Sequence, residues 1–88
     1  MVISMKKIII DIRENHDYKI GHIPNSINIT KDLLELVPEN YLNKHDYYIL
    51  YCDLGIASLK LSNELKLKGY NTSSLAGGYS NWLKISNQ

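Results

Sequence analysis

The segment Tyr51-Cys52-Asp53-Leu54-Gly55-Ile56-Ala57-Ser58 places the only cysteine of the chain at the end of an apolar run, followed by a glycine and a stretch of helical periodicity. A strand that delivers a cysteine to the start of a helix sets its sulfur beside backbone N–H groups that have no intrahelical partner, and these favour thiolate over thiol. Gly55 is the residue best able to take positive φ, which lets the loop curl until several N–H groups converge on one centre. Reactive cysteines in such settings have pKa values of about 3.5–7.5 instead of about 8.5. The chemistry expected is nucleophilic sulfur chemistry at Cys52, where such converging N–H groups would stabilise a thiolate, an anionic substrate or a persulfide. A buried structural cysteine is the plainer alternative.

The elements that must position this loop follow from the hydrophobic pattern. Residues 7–12 are β-branched and almost continuously apolar, as in a strand buried on both faces of a parallel sheet. A polar stretch suited to one helical turn comes next, then a turn marked by Gly21 and Pro24. Residues 26–29 form a short strand, and Thr30 stands where a helix with Leu33, Leu34 and Val37 would be capped. Pro38 stops or restarts that helix. Residues 47–51 are the most strand-like in the chain and lead directly into Cys52. A helix over 56–68 sets Ala57, Leu61 and Leu65 on one stripe, flanked by Ser58 and Ser62, and Gly69 closes it. A last strand over 71–75, a Gly77-Gly78 loop and a helix over 79–85 anchored by Trp82 complete the alternation. The fold class is α/β: a small, mainly parallel sheet of four to five strands flanked by helices. Open α/β sheets bind ligands at the carboxyl ends of their strands, where Cys52 sits.

At 88 residues the chain is expected to be one domain. Nine of its ten basic residues are lysines scattered between positions 6 and 84, and the formal net charge is +1. No basic stripe supports nucleic-acid binding. The apolar run Ile8-Ile9-Ile10 is too short for a signal peptide or a membrane span, so a soluble, cytoplasmic protein without a membrane partner is expected. A single cysteine forms no internal disulfide. His16, His22 and His45 lack the spacing of a metal site, and Gly77-Gly78 lies in no phosphate-binding pattern; no metal or cofactor is expected. Gly77-Gly78 is read as a backbone turn that lets Trp82 pack. His22 is read as fixing its turn. Asp11 and Arg13 are secondary candidates at the active-site end of the first strand, with a structural ion pair or loop anchor as their first role.

Four ordered blocks resemble the rhodanese-like sulfurtransferases over nearly the whole chain. Asp11-Ile12-Arg13-Glu14 is similar to that family's Asp-Val-Arg-Glu, and residues 21–29 to its Gly-His-Ile-Pro-Gly-Ala-x-Asn-Ile. The block from Tyr51 to Ser58 stands at the active-site loop, and Leu75-Ala76-Gly77-Gly78 with Trp82 is similar to the closing Leu-x-Gly-Gly-x-x-x-Trp. The resemblance implies a rhodanese fold and a ping-pong reaction in which Cys52 takes a sulfane sulfur as a persulfide and passes it on, with the loop Asp53, Leu54, Gly55, Ile56, Ala57 and Ser58 as the backbone cradle that binds substrate. It implies a small-molecule or protein-bound sulfur donor. The acceptor must be an external thiol, a protein cysteine or another nucleophile, since no second cysteine is present.

Two loop positions depart from the family's thiosulfate-using members. Ala57 stands where an arginine is common, and Asp53 where a basic residue is frequent. Within about 6 Å of a substrate charge, Asp53 would repel it by about 1–3 kcal/mol per unit charge, so poor use of thiosulfate is expected. The alternative is an Asp53 that faces solvent at a helix start. A cysteine-dependent phosphatase or arsenate reductase would need the missing guanidinium. The competing function of another class is a non-catalytic binding or regulatory module that presents Leu54 and Ile56 to a partner.

Overall fold

The computed structural model describes residues 5–86. Its elements in chain order are β1 (Lys7–Asp11), α1 (Asn15–Ile20), β2 (Ile27–Asn28), α2 (Lys31–Leu36), a 3-10 turn (Pro38–Asn40), β3 (Tyr47–Tyr51), α3 (Ile56–Leu67), β4 (Asn71–Ser74) and α4 (Gly78–Ser86). The strands form one four-stranded sheet in the order β2-β1-β3-β4, and every pairing is parallel. The α/β architecture expected from the alternating pattern is the one observed, with four strands and no antiparallel pair among the described residues. None of the described helices is long and apolar enough to cross a membrane.

The order of strands makes the site. β1 and β3 pair along their whole lengths, from Lys7 opposite Tyr47 to Asp11 opposite Tyr51. The chain leaves β1 toward β2 on one side and leaves β3 toward β4 on the other. Between β1 and β3 the connections therefore diverge, and the carboxyl ends of these two strands open a crevice of the kind that holds ligands in such sheets. Arg13 and Cys52 stand at its two sides.

Alternation along the central strands sorts their side chains. Ile10, Tyr48 and Leu50 enter a core with Leu34, Leu61 and Leu65. Asp11 and Tyr51, opposite one another in register, point to the other face and are both fully buried. Burial pushes the Tyr51 phenol up to about 12, so it stays neutral across the ordinary pH range. Its oxygen accepts the Ile23 N–H (3.1 Å) and lies 3.0 Å from Ser26 Oγ. Since Ser26 Oγ donates to the Ile23 carbonyl (2.7 Å), the Tyr51 hydroxyl donates to Ser26. The turn of residues 21–26 is thereby fastened over β3. Asn25 holds φ 70° there, a left-handed conformation that asparagine tolerates better than most residues.

Several local expectations need adjustment. Thr30 occupies the N-cap position of α2 without a side-chain capping bond, and α2 ends at Leu36, leaving Val37 as its C-cap. The buried stripe of α3 is Ser58, Leu61, Ser62 and Leu65, while Ala57 is only half-buried at the edge of the crevice. Two serines enter the interior because their hydroxyls find partners: Ser62 Oγ lies 2.9 Å from Thr72 Oγ1, and Ser58 bonds within the site described below. His22 fixes its turn as expected, with Nδ1 2.8 Å from the Tyr18 carbonyl and its ring stacked on Tyr18 at 3.8 Å.

Replacing Tyr51 by Phe keeps the packing volume and strands the buried Ile23 N–H. A loss of about 1–3 kcal/mol is expected, read as a lower urea midpoint with an unchanged slope. Stability equal to the wild type would show that Tyr51 does not fasten the turn.

Candidate active site

Cys52 follows β3 directly and is half-buried. Its Sγ accepts the backbone N–H of Gly55 at 3.2 Å and of Ser58 at 3.3 Å, and lies 3.3 Å from Ser58 Oγ. Burial alone pushes the thiol pKa up; the bonds from the Ser58 hydroxyl and from the N–H groups of Ser58, Gly55 and Leu54 outweigh it and hold the pKa below the ordinary thiol value. The cradle is thus narrower than the full loop: Asp53, Ile56 and Ala57 make no hydrogen bond to the sulfur. Ser58 adds a side-chain donor to the backbone donors expected from the loop.

Two glycines permit this geometry. Gly55, the N-cap of α3, holds φ +92°, and a Cβ there would stand 3.0 Å from the Gly77 nitrogen and 3.3 Å from the Leu75 carbonyl. Gly78 holds φ +61°, and a Cβ on it would collide with the carbonyls of Cys52 and Asp53. This close approach lets the first N–H groups of α4 reach the loop, Tyr79 donating to the Cys52 carbonyl (2.8 Å) and Ser80 to the Asp53 carbonyl (3.0 Å). The glycine pair therefore anchors the cysteine loop, beyond the expected turn for Trp82, which stacks on Tyr79 at 5.8 Å.

Arg13 forms the opposite wall. Its Nε and Nη2 bind the fully buried Asp11 carboxylate at 3.0 and 2.7 Å, and Nη2 also donates to the Gly21 carbonyl at 2.7 Å. The bonds to Asp11 raise the guanidinium pKa above its ordinary value despite burial, so the charge is permanent. The guanidinium lies over the Tyr79 ring at 4.3 Å. Asn28 Nδ2 binds the carbonyls of both Asp11 and Arg13 at 2.9 Å and fixes the chain at this corner. Nη1 reaches across the crevice to Asp53 Oδ1 at 3.4 Å.

Asp11 and Arg13 form the expected structural ion pair, and Arg13 also borders the cleft beside Cys52, whereas Asp11 does not. The Asp53 side chain is 68% exposed and tied to Arg13. It faces solvent and the mouth together. Leu54 and Ile56 point outward, 64% and 76% exposed.

The cleft beside Cys52 has a volume of about 310 Å³ and is bordered by the cations Arg13 and Lys31 and the acids Glu14, Asp17, Asp32 and Asp53. A larger recess of about 590 Å³ lies at the other end of the sheet near Tyr47 and Asn71, and its lining includes no cysteine, histidine or carboxylate. No group of three or more His, Cys, Asp or Glu side chains among the described residues is placed to hold a metal ion.

The sequence pattern of the family described as Rhodanese-like domain matches residues 2–85. The chain belongs to the rhodanese-like domain family. Its structure is similar to that of a rhodanese-related protein from Thermoplasma volcanium, with a TM-score of 0.82 at 28% identity over 90% of this chain and 78% of that one. In sequence it is 39% identical to the tRNA sulfurtransferase of Desulfurococcus amylolyticus over 71 residues, which are 81% of this chain and 14% of that protein. It is 29% identical to the thiosulfate sulfurtransferase GlpE of Coxiella burnetii over 76 residues, 85% of this chain and 70% of that protein. The chain spans only 12% to 27% of the lengths of six curated relatives, the Desulfurococcus protein among them. Within this rhodanese-like domain, Ser74 and the Arg13–Asp53 contact are the site features that sequence patterns missed. No local pattern marks either, because both arise from the register of parallel strands: Ser74 pairs with Leu50, two residues before Cys52.

Gly55→Ala tests the cradle. A left-handed backbone costs a residue with a Cβ about 1–3 kcal/mol, and relief of that strain moves the Gly55 N–H off the sulfur. Alkylation of Cys52 requires the thiolate, so its rate rises with pH through the thiol pKa. The variant should shift that rise to higher pH and react more slowly at neutral pH. An unmoved profile in a folded variant would mean that the Gly55 N–H does not stabilise the thiolate.

Proposed function

We propose that the protein is a sulfurtransferase that carries a sulfane sulfur as a persulfide on Cys52 and hands it to an external thiol, a protein cysteine or another nucleophile. The observation that carries this reading is the sulfur itself, held at the end of a parallel strand by two N–H donors and a hydroxyl that favour its anion. Relatives that bear sulfurtransferase names support the reaction class.

In the first half-reaction the Cys52 thiolate attacks the sulfane sulfur of the donor. The Cys52 S–S bond forms as the donor's S–S bond breaks, and the donor leaves as a thiolate, or as sulfite if the donor is thiosulfate. In the second half-reaction the acceptor's nucleophile attacks the outer sulfur, and the pair of the breaking S–S bond returns to Cys52. Both halves begin or end with a thiolate at Sγ, so the same N–H groups serve as stabilisers twice. With one cysteine in the chain, no internal disulfide discharges the persulfide.

The cleft favours a donor of low negative charge. Its acids outnumber its cations, and Arg13 spends its charge on Asp11 and Asp53. A thiosulfate dianion meets Asp53 at the rim and finds no free guanidinium, since Ala57 supplies none. Substituting Asp53 by Asn removes a repulsive charge and releases Nη1 of Arg13 in one step.

Purified protein treated with a persulfide donor should gain one sulfur by intact mass, and Cys52→Ser should gain none. Failure of every donor to load a Cys52 that still alkylates readily would overturn the carrier reading and leave a binding module that uses the exposed Leu54 and Ile56. In a thiosulfate:cyanide assay the wild type should turn over weakly, and Asp53→Asn should raise kcat/KM by about threefold to tenfold, the scale of one screened surface charge acting on a dianion. Efficient turnover that Asp53→Asn leaves unchanged would remove the donor preference.

A further inference from the structure

Ser58 Oγ lies 2.6 Å from Ser74 Oγ as well as 3.3 Å from Cys52 Sγ. Resting on the carrier role proposed for Cys52, we propose that Ser74 is a positioning residue for the reaction, acting through Ser58 to aim a hydroxyl hydrogen at the cysteine sulfur.

A serine hydroxyl has one hydrogen to give and two lone pairs to accept with. When Cys52 is a thiolate, Ser58 must donate its single hydrogen to Sγ, and its oxygen then accepts from Ser74. When Cys52 is a thiol, the S–H donates to Ser58, and Ser58 donates to Ser74. The pair of hydroxyls therefore reverses direction with the charge on sulfur, and no proton is gained or lost along it. Ser58 is fully buried, so water does not take the place of Ser74 as its second partner. Ser74 stands at the end of β4, opposite Leu50 in the sheet, on an element that the cysteine loop does not include.

The consequence falls on the second half-reaction. In the persulfide the charge sits on the outer sulfur, and Sγ presents no anion to orient Ser58. As the acceptor draws the outer sulfur away, the charge returns to Sγ. A Ser58 hydroxyl held by Ser74 already points there. Donors aimed in advance at developing charge are the ones that lower a barrier.

The charged groups facing Cys52 are Arg13 and Glu14 after β1, Asp17 in α1, Lys31 and Asp32 in α2, and Asp53 in the loop. Substitution at Ser74 alters none of them. The experiment compares Ser74→Val with Ser74→Thr, which share a shape suited to a strand and differ in the hydroxyl. The readouts are the pH profile of Cys52 alkylation and the rate at which a loaded persulfide passes to a small thiol.

Ser74→Val should shift the profile to higher pH, lowering the thiolate fraction at neutral pH by about twofold to fivefold, as loss of one cooperative bond in a chain would do. It should slow discharge by a similar factor, and Ser74→Thr should restore both. In a Ser58→Ala background Ser74→Val should change neither, because the connection is already cut. Wild-type behaviour of Ser74→Val, or an equal shift in both backgrounds, overturns the proposal. Should Ser74→Val lose its fold by circular dichroism, the alkylation profile of folded Ser74→Ala with and without Ser58→Ala decides by the same comparison. Alkylation needs no sulfur donor, so a wild type that never loads sulfur would refute the carrier role while this coupling is judged on its own profile.

Discussion

Asp11 is a carboxylate with no exposed surface, and a charge so placed is tolerated only when it is paired and hydrogen-bonded. Arg13 supplies both, through a bidentate contact and the backbone N–H of the same residue, which donates to Asp11 Oδ1 at 2.9 Å. Much of the site hangs on that obligation. Once the guanidinium is drawn to Asp11, its remaining donors meet the Gly21 carbonyl and Asp53, and its face meets Tyr79. One residue thereby joins the end of β1, the turn before β2, the cysteine loop and the last helix. A lysine in its place would present a single ammonium and could not fill these positions at once.

The cysteine loop is held from two sides in complementary ways. Its N–H groups turn inward to the sulfur, and two of its carbonyls turn toward the first N–H groups of α4. A helix N-terminus is often read as a place for an anion. Here it satisfies backbone carbonyls instead, and the anion is left to the loop and the start of α3. Gly78 makes the arrangement sterically attainable, which ties a glycine far along the chain to the reactivity of Cys52.

How much of this the sequence revealed depended on the range of the interaction. The β3 strand, Cys52, Gly55 and α3 were readable because a β-branched and aromatic run, a turn residue and a helical pattern succeed one another without interruption from Tyr47 to Leu67. Ile8 to Ile10 announced a central strand for the same reason. The Arg13–Asp53 contact was not readable, since it spans forty positions and exists only through the β1–β3 register. The partners of Ser58 and Ser62 were hidden for another reason. Apolar periodicity sets these serines beside the stripe of α3, yet both are fully buried in it, because Ser58 bonds to Ser74 and Ser62 to Thr72 across the α3–β4 contact. Ala57 shares the four-residue spacing of Leu61 and Leu65 yet is only half-buried, because the first turn of α3 opens onto the crevice.

The acidic border of the cleft sits on a chain whose formal net charge is +1, so the surface away from the cleft is net positive. Such a separation gives the molecule an electrical orientation. A partner diffusing toward it is turned before any contact forms, with its own positive region swung toward Cys52 and its negative region away. This torque reaches about one screening length, roughly 8–10 Å at physiological salt. The separation of charge thus helps to decide which face of an approaching partner is presented to the sulfur, and salt sets how often.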